Sequence, residues 1–529
     1  MAYYKDLRQY IEVLEQHGKL FRIKEEINKD TQLHPMVRWQ FRGLPEKERR
    51  AFLFENIIDV KGKKYPSPVL VAAHAASREV YALAMNCKPS EIMQKWQNAQ
   101  HHPIAPRMVK SGAVQEEIHK GAGLLKHGGL EEFPVPISTP GFDNAPYFTA
   151  ANWVTKDLDT GRYNIGNYRG MVKSQDRVGV FSMQPQHLYM QWEKYRSRGI
   201  PMPAAAVIGP TPNVGLVAVS KIPFGSDEYG IACGIAGEPM PLVKCQTVDL
   251  AVPASAEIVI EGLIPTDCLE RDAPFGEMSG YMGSQAMTLF LNVTCITHRK
   301  QPIWNAFLSQ LPPSESSILR GVGLEGAYFK LLNHDLGLSN LVDVAFHDAS
   351  GAYQFCVISL KKPTQPQAWQ ALNGAVAMAP THGKMIIAVD DDIDARDLDS
   401  VIWALCYRMQ PQNDIRIVTG KSAALDPSAA PPEELKEKSY YPLTSSVLIN
   451  ATMKWDYPPV ALPKREFMED AKKIWDKIGL PPLTPKVPWF GYHLGYWTEE
   501  DELEAELALK GEHFQTGKKI AKKRRKLKK

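Results

Sequence analysis

Leu289-Phe290-Leu291-Asn292-Val293-Thr294 is a strand-length apolar run, and it closes a series of such runs that begins near residue 145. Upstream of it stand Ala256-Glu257-Ile258-Val259-Ile260, Val214-Gly215-Leu216-Val217-Ala218-Val219, Ala204-Ala205-Ala206-Val207-Ile208 and Gly179-Val180-Phe181-Ser182-Met183, with Gly and Pro turns between them. Several short runs punctuated in this way predict a β-barrel or sandwich over about residues 145–310. Outward from that region the pattern changes. Leu7, Tyr10, Ile11 and Leu14 recur at helical spacing, Gly18 is placed to end that helix, and residues 20–27 follow as a strand. The first ~120 residues therefore read as a mixed α/β domain. Pro134-Val135-Pro136 and Pro140-Gly141 punctuate the entry to the next region.

The second half also reads as α/β. Lys384-Met385-Ile386-Ile387-Ala388-Val389 is a buried-strand run ending in Asp390-Asp391-Asp392-Ile393-Asp394, and residues 397–408 form an amphipathic helix presenting Val401, Ile402 and Leu405. The acids at the strand end are read as a solvated loop capping that helix, in preference to a metal site. Gly321-Val322-Gly323-Leu324-Glu325-Gly326 meets the dinucleotide fingerprint in letters only, because residues 314–319 before it are no strand; that reading is rejected. Residues 467–478 are helical, Pro481-Pro482 stops them, and the aromatic Trp489, Phe490 and Tyr492 are expected to dock on another subunit.

Chemistry enters with Glu270-Arg271-Asp272-Ala273-Pro274-Phe275-Gly276-Glu277-Met278-Ser279-Gly280-Tyr281, which sets two carboxylates, Asp272 and Glu277, around a Pro-Phe-Gly turn in apolar sequence. Two acids in a partly dry cleft rarely keep the same pKa: a cation holds one ionised while the other is pushed up and can donate a proton. A surface turn with both acids in water is the plainer reading of the pair by itself. About a hundred residues upstream, Tyr163-Asn164-Ile165-Gly166-Asn167-Tyr168-Arg169-Gly170 and Gln186-His187 add an amide, an imidazole and a guanidinium, and Glu228 adds a carboxylate. Asn, His and Glu make a mixed oxygen and nitrogen ligand set that suits Mn²⁺, Mg²⁺ or Fe²⁺ better than structural zinc.

In this order, Asn-Ile-Gly-Asn-Tyr-Arg, Gln186-His187, the Glu228 segment, Gly237-Glu238-Pro239-Met240-Pro241-Leu242-Val243-Lys244-Cys245 and Asp-Ala-Pro-Phe-Gly-Glu resemble the UbiD-type decarboxylases, over nearly the whole chain. The resemblance implies an α+β fold: a split β-barrel, flavin-reductase-like cofactor domain, flanked by an N-terminal α/β region and a C-terminal α/β oligomerisation domain. The corresponding boundaries are 1–120, 121–310 and 311–495, with a charged tail at 496–529. It implies a prenylated FMN whose phosphate is bridged by a divalent metal (Mn²⁺, Mg²⁺ or Fe²⁺) on Asn164, His187 and Glu228, with K⁺ alongside. Asn164, Ile165, Gly166, Asn167, Tyr168 and Arg169, with Gln186, His187 and Glu228, would line the cofactor. The acid-Arg-acid triad falls on Asp272, Arg169 and Glu277, with Glu277 as proton donor. Asp272 stands where many relatives carry Glu, one methylene longer, which shortens its reach toward Arg169. Lys384 is a candidate for the family's phosphate-binding lysine.

The implied reaction is non-oxidative, reversible decarboxylation of an aromatic or α,β-unsaturated acid through a covalent substrate adduct with the cofactor. Losing CO₂ from an sp² carbon leaves an in-plane electron pair that no side chain absorbs, so the cofactor carries that step. Phe275, Met278 and Met282 are either walls for the leaving carboxylate or ordinary core. An aromatic acyl-CoA thioester such as phthaloyl-CoA is the alternative substrate. Expected partners are a second copy of the chain, as homodimer or homohexamer, and a flavin prenyltransferase supplying the cofactor.

Bulk properties agree with a cytoplasmic enzyme. Seven Cys, none closer than twelve positions to the next, exclude Cys-x-x-Cys sites and point to reduced thiols. No run reaches the ~18 apolar residues of a membrane span. Nine of the last twelve residues are Lys or Arg, so removing them takes the formal charge from +3 to −6. That basic run reads as a solvated, disordered tail; a non-catalytic RNA-associated protein is the reading from a different class, and nucleic acid is not expected.

Overall fold

The computed structural model describes residues 2–283, 285–422, 425–429, 431, 443–484, 496–522 and 525. Leu7, Tyr10, Ile11 and Leu14 form the buried face of helix Leu7–Gln16, whose cap Asp6 accepts from the Gln9 amide. Gly18, at φ +64°, makes the left-handed turn into strand Leu20–Asn28. That strand pairs in parallel with Ala51–Ile58, and Val69–Val71 and Trp304–Ala306 continue the sheet. Trp304–Ala306 had been expected in the barrel; it runs parallel to Val69–Val71 and ties the end of the central region back to the first layer.

The central region is one curled ten-stranded sheet. Ala286–His298 is its spine, pairing antiparallel with Arg177–Val180, Ile258–Ile264, Glu270–Asp272 and Glu117–Lys120. Met202–Ile208, Asn152–Lys156 and Tyr163–Asn167 extend it beyond Ile258–Ile264. The two-residue period of a strand shows directly in the packing. Ala204, Ala206 and Ile208 join the large core shared with the N-terminal layer, whereas Ala205 and Val207 join a second core on the other face.

One run expected as a strand is helical. Val214 to Val219 lie in helix Pro212–Val219, buried on nearly every side. A helix without a polar face leaves no 3.6-residue signature, so its sequence cannot be told from a buried strand. Pro212 at the first turn was the available signal.

The C-terminal sheet runs Leu341–Phe346, Phe355–Leu360, Met385–Asp390, Leu443–Asn450 and Ile415–Ser422, with the two inner pairings parallel. Gly321, Gly323 and Gly326 sit inside helix Glu315–Phe329, with no phosphate turn. They let it press on Ala352, Ser220 and Trp96, where an added Cβ at Gly321 or Gly323 would come within 2.8 Å of its neighbour. The Asp390 to Asp394 segment corrects the solvated-loop reading: Asp390 and Asp392 are buried and paired with Arg408 at 3.0 and 2.5 Å. In helix Leu398–Tyr407 Val401 is buried, but Ile402 is exposed. Helix Arg465–Lys477 lies where expected, and Trp489, Phe490 and Tyr492 lie outside the described residues.

The basic run starts within a helix, His513–Lys522, with Lys519 paired to Glu500 and Glu504 of helix Glu499–Leu509, so this part of the expected disordered tail is ordered by charge. Among the described residues no helix is long and apolar enough to cross a membrane.

Candidate active site

Arg169 follows strand Tyr163–Asn167, and its backbone carbonyl accepts from the Phe181 amide. Its guanidinium bridges the two predicted acids. Nε and Nη2 donate to Asp272 Oδ2 at 3.1 and 2.7 Å, and Nη1 donates to Glu277 Oε1. Asp272 thus reaches Arg169 despite its shorter side chain. Two aromatic rings lie against the cation: the Phe181 ring centroid is 3.9 Å from the guanidinium carbon and that of Phe275 5.3 Å.

The turn after strand Glu270–Asp272 fixes Glu277. The Glu277 amide donates to Tyr281 O at 2.8 Å, Gly283 N donates to Phe275 O, and Gly276 bridges to Met282. A Cβ at Gly283 would fall 2.8 Å from Glu277 Oε1, so glycine there gives the carboxylate its place.

The acids differ in surroundings. Asp272 is 1 % exposed in its side chain and Glu277 14 %. Burial pushes both carboxyls upward while Arg169 pulls both down, and for Glu277 the neighbouring Asp272 adds to the upward push. Desolvation works against the Arg169 charge, yet Glu277 and Asp272 hold its pKa above the ordinary value. The double contact makes Asp272 the fixed counter-ion of Arg169. Glu277 has one contact with Arg169 and keeps some access to the cleft.

Glu228 joins His187 to the strand that carries Asn164. His187 opens helix His187–Ser197 and Glu228 opens helix Glu228–Ala236, and His187 Nδ1 lies 3.3 Å from Glu228 Oε1. Glu228 Oε2 accepts from the amide of Ile165, next to Asn164. Asn164 Nδ2 donates to Thr155 Oγ1 at 3.2 Å, which leaves its buried Oδ1 without a partner among the described residues. An unpaired buried amide oxygen costs about 1–3 kcal/mol unless something fills it. With the Glu228 carboxylate on the neighbouring Ile165 amide and the His187 imidazole on Glu228, this oxygen and nitrogen donor set fits a divalent cation.

The other expected lining residues have mixed roles. The Ile165 side chain is core, Asn167 Nδ2 donates to Ala151 O, and Gln186 Oε1 accepts from the Met183 amide. At Gly166 an added Cβ would meet the Tyr168 ring at 2.3 Å. Lys384 is held by Asp426 and Ser428 in the C-terminal sheet, which gives it no contact with the Asn164, His187 and Glu228 group. Met278 packs on the C-terminal core, whereas Phe275 packs on Tyr147 beneath Arg169.

Three neighbours had no signal in the sequence. Tyr147 OH donates to Ala273 O at 3.0 Å and lies 3.5 Å from Asp272 Oδ1. Asp143 is pushed up to about 6 by burial, against the Thr139, Ser138 and Gly276 amides and Arg169. Arg320, lowered by burial, adds positive charge beside Glu277. Tyr147 stands 125 positions from Asp272, and Arg320 and Asp143 are likewise far in sequence from Glu277 and Gly276, in unremarkable local contexts.

Comparison with known proteins now identifies the chain. The 3-octaprenyl-4-hydroxybenzoate carboxy-lyase models match in three consecutive parts, the N-terminal domain at 11–100, the Rift-related domain at 107–312 and the C-terminal domain at 321–451. This protein belongs to the UbiD family of carboxy-lyases. The UbiD-class enzyme HmfF from Pelotomaculum thermopropionicum, solved as an evolved dimeric form in complex with prFMN, is 29 % identical over 87 % of this chain and 97 % of its own, with a TM-score of 0.74. Vanillic acid decarboxylase from Sedimentibacter hydroxybenzoicus, in open form, is 26 % identical over 90 % of this UbiD protein and 99 % of its own length, at TM-score 0.75. Apo 3,4-dihydroxybenzoic acid decarboxylase from Klebsiella pneumoniae is 26 % identical over 88 % and 99 %, also at 0.75. The likeness spans the curled sheet and both flanking α/β regions.

Proposed function

We propose that this UbiD-family carboxy-lyase removes CO₂ from an aromatic or α,β-unsaturated carboxylic acid, with Glu277 placing a proton on the carbon that loses the carboxylate. The observation that carries the reading is Arg169 held between Asp272 and Glu277 in a partly closed cleft. A prenylated FMN would be held through a divalent ion on Asn164, His187 and Glu228, supported by the unpaired Asn164 Oδ1. When bound there, it supplies the electron sink that protein side chains lack.

The chain's own residues then divide the remaining work. Arg169, a permanently charged planar fork, orients the substrate carboxylate and keeps Asp272 ionised. The Phe181 and Phe275 rings keep the surroundings of the leaving group apolar, so the carboxylate is not bound so tightly that CO₂ release is opposed. Glu277, its pKa raised by burial, is the proton donor and recovers its proton from the cleft after each turnover.

The C-terminal surface supports the reading that the chain self-associates. Leu398, Ile402 and Tyr407 are exposed along one helix, and Ile417 is exposed on edge strand Ile415–Ser422. Exposed Leu398 and Ile402, one turn apart, and the exposed edge strand offer a surface for a second copy of the chain. Light scattering should show a dimer or larger assembly.

The function is tested by loading the full chain with prenylated FMN and measuring CO₂ release from a panel of aromatic and acrylic acids. Release from one or more of them is expected, and absence of release from all would refute the reading. His187→Ala should lose metal and flavin together; full flavin absorbance in that variant would contradict the assigned ligand set.

A further inference from the structure

A second group of ligating side chains lies on the segment that leads into the curled sheet. His119 stands on strand Glu117–Lys120, His127 follows helix Ala122–Lys126, and Glu132 ends the 3-10 turn Gly129–Glu132. One ligating atom from each lies within 4.8 Å of the others. The His119 and His127 ring centroids are 4.0 Å apart. His298, at the end of Ala286–His298, brings its Nε2 to 2.9 Å from His119 Nε2 and 3.9 Å from Glu132 Oε1.

The hydrogen bonds set the tautomers. His298 Nδ1 is 2.8 Å from the Arg299 carbonyl, which only accepts, so that nitrogen carries a proton. Neutral His298 then has a bare Nε2, and its contact with His119 requires the His119 Nε2–H to donate. His119 Nδ1 is left with its lone pair. A histidine whose far N–H is held by a fixed acceptor is how metal-binding imidazoles are usually oriented.

We propose that His119, His127 and Glu132 bind one divalent transition-metal ion, zinc fitting best, with His298 as the positioning residue behind His119. Two imidazoles and a carboxylate, with water in the fourth place, are a zinc ligand set, and the nitrogen donors disfavour calcium and magnesium. Tetrahedral bonds of ~2.0–2.2 Å put ligand atoms about 3.4 Å apart, so closing the site needs shifts on the order of 1 Å. His119 is buried and fixed, while exposed His127 and half-buried Glu132 have room to move.

The site shares no residue with Asn164, His187 and Glu228. His298 is also twelve residues along its strand from Ala286, the partner of Asp272, or roughly 40 Å of extended chain. The ion therefore acts as a clip that fastens the 119–132 segment beside the far end of the sheet's spine.

The test is titration of the full-length protein with Co²⁺ and with Zn²⁺, read by cobalt visible absorbance, calorimetry and thermal melting. Wild type should take up one equivalent that exposed-site variants His127→Ala and Glu132→Gln lose, their affinity falling at least about 100-fold, the upper range for loss of an outer-shell partner. Zinc should raise the melting temperature of wild type above that of either variant by the linkage of binding to folding. Equal stoichiometry and affinity in all three proteins would overturn the proposal.

Discussion

Of the acid–arginine–acid clusters among the described residues, Asp272–Arg169–Glu277 in the cleft and Asp390–Arg408–Asp392 in the C-terminal sheet differ most usefully in what surrounds the charges. The second is sealed: the Arg408, Asp390 and Asp392 side chains are 2 %, 4 % and 1 % exposed, and Asp390 also accepts from the Met453 amide. Arg169 is clamped by one fully buried acid but shares its other edge with an acid that still meets the cleft, on a turn cleared by Gly283. The same charges build a sealed strut in one place and, under the proposed function, a proton donor in the other. What separates them is solvent access to one carboxyl, and neither charge count nor spacing in the sequence reports it.

Four substitutions would break or sharpen that contrast. Glu277→Gln should lower turnover by about 10²–10⁴-fold while the protein still folds and binds flavin, because a positioned acid is lost. Steady-state CO₂ release measures it, and near-native rates would erase the distinction. Arg408→Met should instead destabilise the fold by about 3–5 kcal/mol in denaturant titration, since two buried acids lose their cation, with turnover per folded molecule unchanged. A loss of activity there without loss of stability would make the strut a second site.

Glu315 supplies a third case, a buried acid held by the Ala72, His74 and Leu308 amides without a cation. Burial pushes it up to about 7 from an ordinary 4.5. The folded state then binds this proton more tightly than the unfolded chain, so the contribution is complete below 4.5 and is lost as pH rises through about 7. Across that window wild type should lose about 3 kcal/mol relative to Glu315→Gln. Parallel stability curves would contradict it. The smallest effect is expected for Phe181→Leu, which removes a ring beneath Arg169; about 1 kcal/mol, or roughly fivefold in turnover, follows from losing the cation–π contact.

Much of this architecture was legible in the residues. Leu7, Tyr10, Ile11 and Leu14 gave the first helix because each faces one core, and the runs at 204–208, 256–260 and 289–294 gave strands because turns bound them. Val214 to Val219 misled because a helix buried all round shows no period. The Asp390 to Asp394 acids looked solvated because Arg408, their partner, stands on the next helix and its approach is a fact of packing. Asn164, His187 and Glu228 were named through motif order, and Glu228 touches His187 and the amide next to Asn164. Asp143, Tyr147 and Arg320 were missed because no local pattern marks a residue whose partner is supplied by a distant strand or helix.

The account rests on Glu277 donating the proton from a carboxyl whose pKa is raised by burial, and the pH dependence of kcat in flavin-loaded enzyme tests this most directly. Because the donor must be protonated, wild type should lose turnover on the alkaline side with an apparent pKa above the ordinary glutamate value of 4.5, and the residual activity of Glu277→Gln should lack that limb. The same alkaline limb in both proteins would place the proton elsewhere and contradict the account.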